Sequence, residues 1–410
     1  MKILIYGVNY APELTGIGKY TGEMSEWLAE QGHDVRVVTA PPYYPEWKVS
    51  NAYASGFYRK EQVNGVEVYR CPLYVPAKPS GMKRIVHLAS FALSSLPIML
   101  KQVFWKPDVI MVIEPPLFCA PMAWLTARLS RAKCWIHIQD FEVDAAFDLG
   151  IIRFAWMKRL VSSIERQLLG SFDVVSTISH SMLRQLRKKG VQEDKLAYFP
   201  NWSDLSVMKH SSEDALSFRE KYNINAERFI VLYSGNMGEK QGLGMVLKAA
   251  SQIRDENILF LLCGEGVVKA SLMQEAKKMN LDNIMFLPLQ PMNEFVGMLS
   301  AADLHLVLNK HGVADLVMPS KLTNILAIGG FSIIAAEEES ELGMLLKKNP
   351  FMGSLCPPED VKTFVKQLEQ WSSVLQGDIN HEISAFARET LDLDMIMSDV
   401  NQRMKDLVRN

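Results

Sequence analysis

Cysteine is scarce in this chain, and the five present (Cys71, Cys119, Cys134, Cys263 and Cys356) are scattered, odd in number and form no Cys-x-x-Cys pair. That usage fits a reducing cytoplasm and argues against a disulfide framework or a zinc knuckle. Net charge is nearly absent as well. The 44 Lys and Arg face 46 Asp and Glu, a formal −2, so no polyanion such as nucleic acid is expected to bind through bulk charge. No low-complexity or strongly charged tract points to long disorder. A secretory leader is not expected, because Met1-Lys2 runs straight into Ile3-Leu4-Ile5-Tyr6, which reads as a first buried strand. The segment nearest to a transmembrane span, Ile85 to Trp105, is interrupted by His87, Ser90, Ser94, Ser95, Pro97, Lys101 and Gln102, too many polar groups for a lipid-spanning helix.

What is present is enough apolar surface for two cores. The chain has 410 residues, 48% of them hydrophobic, and a single core stops growing at roughly 250–300 residues. The near-neutral total conceals an asymmetry: residues 1–200 carry 24 basic and 18 acidic side chains, residues 201–410 carry 20 and 28. Two halves of opposite sign read as two domains with different partners.

The first half repeats a short apolar run, a Gly or Pro turn and an amphipathic stretch, the pattern of parallel α/β units. Strands are expected at 2–8, 34–39, 66–70, 108–113, 134–138 and 173–177, where Val and Ile run unbroken as in buried parallel strands. The pattern restarts after Phe199-Pro200-Asn201-Trp202, with strands at 229–234, 258–263, 284–287, 304–308 and 332–336. Helices are expected near 240–253, 267–279, 292–300, 321–328 and 359–374. The fold expected is therefore α/β, with two doubly wound Rossmann-like domains facing an inter-domain cleft. Its parts are a domain at 1–200, a domain at 201–380 entered through a polar linker at 201–225, and a helical segment at 381–410 packing back on the first. Open α/β sheets bind ligands in the loops after their strands, and those loops are where chemistry is sought.

After the first strand, Gly16 and Gly18 open a helix in Asn9 to Lys19, where backbone amides and the helix N-terminus favour an anion. The spacing is not that of the dinucleotide fingerprint, and an ordinary strand-to-helix turn is the competing reading. In the second half, Ser234-Gly235-Asn236-Met237-Gly238-Glu239-Lys240-Gln241-Gly242, Cys263-Gly264-Glu265-Gly266 and Pro319-Ser320-Lys321 each follow a strand. Each is weak alone; together, amides from two glycine turns, the helix start at Ser320 and two lysines are expected to cradle a diphosphate.

With these loops in order, the chain resembles the retaining glycosyltransferases of family 4, GT-B fold, and among them the bacterial exopolysaccharide enzymes of the colanic-acid fucosyltransferase type. The likeness runs over essentially the whole length. It is most specific at Tyr6 to Tyr20, at His137-Ile138-Gln139-Asp140-Phe141-Glu142-Val143-Asp144, at Phe199-Pro200-Asn201-Trp202, at Tyr233 to Leu243 and at Pro319 to Ala327. The resemblance implies a GDP- or UDP-sugar co-substrate held by the second domain, no further cofactor, no metal, and a lipid-linked glycan acceptor held by the first domain. Donor-binding positions carried over are Gly16, Gly18, Gly235, Asn236, Lys240, Gly264, Glu265, Gly266, Ser320 and Asn324. Asp140, Lys321 and His137 are the positions expected to be catalytic, and Glu13 and Asp144 are expected to face the acceptor. The chain departs from many relatives where Asn236 and Gln241 replace basic residues, where Asn324 replaces a Glu with Asp315 only near the first Glu of that motif, and where Gln139 replaces a His.

Glycosyl transfer develops negative charge on the leaving diphosphate, so fixed donors matter more than a strong nucleophile. No Asp-x-Asp pair falls on a candidate loop, and Asp140, Glu142 and Asp144 form the nearest acidic cluster. Helix capping competes as a role for Asp140, and a core position competes for His137. Residues 82–106, with Lys83, Arg84, Lys101 and Lys106 near the ends, and 151–169, with Arg153, Lys158, Arg159, Arg166 and an apolar stripe at Ile152, Trp156 and Leu160, suggest peripheral contact with an anionic membrane surface at the cytoplasmic face. Covering the first sheet is the competing role for both. Two other functions stay open on sequence: a sugar-nucleotide epimerase or hydrolase on the same fold, and a non-catalytic nucleotide-sugar-binding assembly subunit.

Overall fold

The computed structural model describes residues 1–409 except 14–15, 55, 78–80, 116, 149–153, 204, 206, 313–318 and 376–379. Ile152, Arg153 and Asp315 thus lie outside the described residues. The chain divides into two compact units, Met1–Asn201 with Ile396–Asn410, and Trp202–Met395.

The first unit runs β1 (Lys2–Tyr6), α1 (Gly16–Glu30), β2 (Asp34–Thr39), β3 (Arg59–Val63), β4 (Val66–Arg70), α2 (Gly81–Trp105), β5 (Val109–Glu114), α3 (Ala120–Ser130), β6 (Lys133–Ile138), α4 (Glu142–Asp148), α5 (Ala155–Gly170), β7 (Val174–Thr177), α6 (His180–Lys188) and β8 (Leu196–Tyr198). Its sheet has the order β3-β4-β2-β1-β5-β6-β7-β8, parallel except for the β3–β4 edge pair. The central strands are buried on both faces, β5 at every residue, which is why they read as continuous apolar runs. β3 has no counterpart in the sequence reading because Arg-Lys-Glu-Gln-Val is a solvent-facing edge strand without an apolar run.

The second unit runs α7 (Ser212–Lys221), β9 (Phe229–Ser234), α8 (Gly244–Ala250), β10 (Ile258–Cys263), α9 (Lys269–Lys278), β11 (Ile284–Leu287), α10 (Met292–Ala301), β12 (Leu304–Leu308), α11 (Ser320–Ala327), β13 (Ser332–Ala335), α12 (Glu341–Lys348), β14 (Gly353–Cys356), α13 (Val361–Val374), α14 (His381–Leu391) and α15 (Leu393–Arg409), of which the last residues count with the first unit. Its parallel sheet has the order β11-β10-β9-β12-β13-β14.

Three expectations change. The stretch read as a linker at 201–225 contains α7, whose Ala215 and Phe218 are buried in a cluster with Val296 and Leu299 of α10. The helix expected at 240–253 is confined to α8, because Gly242 takes a left-handed φ of 63° and ends a separate single turn at Glu239–Gln241. The terminal segment is split. α14 packs Ile383, Ala387 and Leu391 into the second unit's core, while residues 396–410 join the first, where Asn401 Oδ1 lies 2.8 Å from His33 Nε2 and Arg403 donates to the Leu196 carbonyl.

α2 is two-faced. His87, Phe91, Ser95, Ile98, Met99 and Gln102 are buried against the domain, with Ser95 bonded to Tyr6 of β1. The outer face exposes Met82, Val86, Leu93, Leu96, Leu100 and Phe104, the last 87% accessible. The helix is long and apolar enough to cross a membrane, yet its inner face is a layer of the domain. Trp156, Leu160 and Ile164 form a second exposed stripe on α5.

Candidate active site

In each sheet the direction of winding reverses once, and a crevice opens beyond the carboxyl ends of the two strands that flank the reversal. β1 sits between β2 and β5, and β9 between β10 and β12, so the crevices lie at β1/β5 in the first domain and at β9/β12 in the second.

In the first domain that position holds a cavity of about 330 Å³, bordered by Gly16 and Ile17 at the start of α1, by Arg84 and His87 of α2, and by Asp140 and Glu142 after β6. Tyr43, Trp47 and His87 make one wall, with ring centroids 4.7 Å (Tyr43–His87), 5.3 Å (Trp47–His87) and 5.7 Å (Tyr43–Trp47) apart. Trp47 takes a left-handed φ of 51°, unusual for a bulky residue. Glu142 accepts from the Leu117 amide at 2.8 Å, and burial, aided by the neighbouring Asp140, raises its pKa. Glu114, at the end of β5, is buried with both carboxyl oxygens unbonded among the described residues. Burial, then Glu142 and Glu165, hold it well above the carboxylate range.

Glu13 and Asp144, expected to face an acceptor, do other work. Glu13 is buried; its Oε1 accepts from the Tyr43 and Tyr44 amides, both at 3.1 Å, and its Oε2 from Asn9 at 2.8 Å. It therefore pins the loop that carries the aromatic wall. Gly18 makes room for it, since a Cβ there would stand 2.5 Å from Glu13 Oε2. Asp144 pairs at 2.8 Å with Lys189, which also holds Glu165. Burial acts to lower the Lys189 pKa, and the hydrogen bonds to Asp144 and Glu165 overcome it and raise it. Asp140 borders the cavity.

His137 is buried in β6, its Nδ1 2.9 Å from Ser176 Oγ and its Nε2 3.2 Å from Gln139 Nε2. Gln139 in turn accepts from Asn201 at 3.1 Å. With the amide donating to Nε2, the ring is neutral and carries its proton on Nδ1; burial takes its pKa down to about 3. His137 thus orients Gln139 and does not border the cavity.

In the second domain Lys321 stands in the first turn of α11, where Ser320 opens the helix. Its Nζ donates to Tyr233 Oη at 3.1 Å and lies 4.5 Å from the ring centroid, while Tyr233 donates to the Asn236 carbonyl at 2.6 Å. Among the described residues no carboxylate pairs with this ammonium, and burial lowers its pKa to about 8.

The glycines at this edge have a role different from the expected cradle. A Cβ on Gly264 (φ 149°) would stand 1.8 Å from the Gly235 carbonyl oxygen, and one on Gly266 2.2 Å from that of Met237. The two turns press backbone against backbone. The amides of Gly235, Met237 and Gly264 are spent on the carbonyls of Cys263, Glu265 and Leu287, and that of Gly238 on Gln241 Oε1. Lys321 is a buried cation at this edge that no carboxylate pairs with among the described residues. Glu265 is bonded to Lys269 at 2.7 Å, Asn324 accepts from Ser203 at 3.2 Å, and Lys240 and Asn236 are exposed. Sequence reasoning did not find Tyr43, Trp47, His87, Glu114 or Tyr233; only Tyr233 carried a signal, its place at the end of a strand before a glycine turn.

A family model described as a glycosyl transferase 4-like domain matches residues 15–202, and one described as glycosyl transferases group 1 matches residues 214–389. Two Rossmann-like domains with these matches define a GT-B glycosyltransferase. The chain is 46% identical over 401 residues to the putative colanic acid biosynthesis glycosyl transferase WcaI of Escherichia coli K12, covering 97% of this chain and 98% of that one. It is 22% identical over 326 residues to the N-acetyl-alpha-D-glucosaminyl L-malate synthase of Bacillus anthracis, covering 78% and 76%. Among solved structures, HepE of Anabaena in complex with UDP superposes with a TM-score of 0.72 at 15% identity over 99% of this chain and 100% of that one. Sucrose-phosphate synthase of Thermosynechococcus elongatus gives 0.71 at 16% over 100% and 99%. The chain belongs to the family 4 glycosyltransferases.

Proposed function

We propose that this enzyme transfers a sugar, with fucose as the candidate, from a GDP- or UDP-sugar to a lipid-linked intermediate of an exopolysaccharide akin to colanic acid, with retention at the anomeric carbon and without a metal. The observation that carries the donor half is Lys321, a partly buried ammonium at the β9/β12 crevice with no carboxylate partner among the described residues. A buried cation of this kind is completed by an anion, and a leaving diphosphate gathers charge where a fixed ammonium stabilises the transition state most. Support for the donor class comes from HepE, solved with UDP and with UDP-glucose, and for the pathway from the WcaI relative.

Attachment to the cytoplasmic membrane face is part of the same reading. The exposed stripes on α2 and α5 are accompanied by Lys83, Arg84, Lys101, Lys106, Lys158 and Arg159, a pattern suited to the interfacial plane of an anionic bilayer.

The test is a transfer assay with GDP-fucose, UDP-glucose and UDP-galactose against lipid-linked oligosaccharides extracted from exopolysaccharide-producing cells, read by mass spectrometry. A glycosylated lipid should form, and Lys321→Met should slow it by about 10²-fold. Rapid epimerisation or hydrolysis of donor alone would establish the epimerase or hydrolase reading instead, and donor binding without transfer to any acceptor the assembly-subunit reading.

A further inference from the structure

We infer that Tyr233 is a positioning residue for the sugar donor's diphosphate: its phenol holds the Lys321 ammonium beside the Gly235 turn and takes up one of that group's three protons, leaving the other two for phosphate oxygens. The inference rests on the transferase reading and adds to it the residue that makes the cation effective.

Tyr233 is fully buried next to the end of β9, and burial holds its pKa above the ordinary phenol value, so it stays neutral where Lys321 titrates. A neutral phenol has one proton to give. Here that proton goes to the Asn236 carbonyl at 2.6 Å, a group that can only accept. The lone pairs of Oη are therefore left for Lys321, whose Nζ donates to it at 3.1 Å and lies 4.5 Å from the ring centroid. Hydrogen bond and ring face both favour the charged form of the lysine. Burial opposes it, and among the described residues no charged group contributes to the lowered pKa of about 8.

The glycine turn completes the arrangement. Gly235 takes a φ of 136°, and a Cβ there would stand 3.8 Å from Cε and 3.9 Å from Nζ of Lys321. A side chain at 235 would start in contact with the ammonium; glycine leaves that approach clear. Asn236, whose carbonyl anchors the phenol, is the next residue of the same turn, so turn, phenol and ammonium are held as one piece. A cation fixed in this way needs no reorganisation as charge develops on the leaving diphosphate. Core packing is the competing role for Tyr233, but it would use the ring alone and phenylalanine would serve it equally. The hydroxyl is what the ammonium needs.

The experiment is calorimetry of GDP and UDP binding to the full chain from pH 6 to pH 9, in two buffers of different ionisation enthalpy, on wild type, Tyr233→Phe and Leu262→Val. Leu262 pairs with Tyr233 across β9 and β10 in the same core and reports lost packing by itself. Removing the hydroxyl should weaken proton binding to Lys321 about tenfold. Proton uptake on nucleotide binding at pH 7 then rises from about 0.1 to about 0.5, and the affinity deficit against wild type grows from negligible at pH 6 to about twofold at pH 7 and about ninefold at pH 9. Leu262→Val should keep the wild-type values. Wild type alone decides the matter if Tyr233→Phe does not fold: in protein labelled with ¹³Cζ-tyrosine, one resonance should shift with a midpoint near the Lys321 pKa of about 8, and that shift should be missing in Lys321→Met. A wild-type uptake and pH profile in Tyr233→Phe overturns the inference and leaves the donor reading standing, as does the same change in Leu262→Val or the lack of a tyrosine resonance that follows Lys321. Failure of wild type to bind either nucleotide at any pH overturns the donor reading with it.

Discussion

Lys321 should make donor binding take up a proton. In the free enzyme its pKa is lowered to about 8 by burial, so at pH 9 it is about 10% protonated, and an arriving diphosphate that restores the ammonium draws in about 0.9 protons. At pH 7 the uptake falls to about 0.1, and above pH 8 affinity should drop up to tenfold per unit of pH. Calorimetry of GDP or UDP binding at pH 9 in two buffers of different ionisation enthalpy measures the uptake directly. Lys321→Met, run alongside, carries any protons exchanged by the nucleotide base itself. The sign for stability runs the other way. A lysine whose folded pKa lies below its unfolded 10.5 penalises the folded state fully below pH 8, and the penalty disappears as pH rises from 8 to 10.5. The ligand-free Lys321→Met protein should therefore be the more stable at pH 7, by up to about 3 kcal/mol, while binding nucleotide worse. Equal uptake in wild type and variant, or none in either, would refute this account of the anion site.

Gly264→Ala places a methyl 1.8 Å from the Gly235 carbonyl. It should lower stability by about 1–3 kcal/mol in thermal or urea unfolding, and an unchanged midpoint would mean the turns can part freely. Lys189→Met strips Asp144 and Glu165 of their cation and should cost about 3–5 kcal/mol at pH 7, a loss that shrinks as falling pH protonates Glu165, whose pKa burial raises. Glu13→Ala leaves the Tyr43 and Tyr44 amides unbonded. A loss of about 1–3 kcal/mol is expected in thermal or urea unfolding. Leu93→Ser with Phe104→Ser alters only exposed side chains of α2. It should reduce cosedimentation with phosphatidylglycerol vesicles without shifting the melting temperature; unchanged cosedimentation would count against a membrane role for that face.

Much of the framework is legible in the sequence because parallel strands buried on both faces leave unbroken apolar runs, as in Val109–Glu114 and Phe229–Ser234. β3 escapes because an edge strand needs no such run, and α7 because a ten-residue helix with two buried apolar side chains looks like a polar linker until α10 is placed against it. In the second domain the glycine turns and Lys321 can be found in the sequence, but not that the glycines serve each other. The first-domain pocket is opaque for a different reason. Tyr43 and Trp47 come from the loop after β2 and His87 from α2, distant in sequence, and each is unremarkable alone. The acidic residues mislead because Asp144 takes a cation 45 positions away and Glu13 takes amides 30 positions away, partners that local spacing does not reveal.

The backbone contact between the Gly235 and Gly264 turns also constrains how this edge of the second sheet can vary. Each position owes its lack of a side chain to the other strand's carbonyl or to its own positive φ, so neither can drift by single steps. Saturation mutagenesis should find both nearly intolerant of every other residue, even under selection for stability alone.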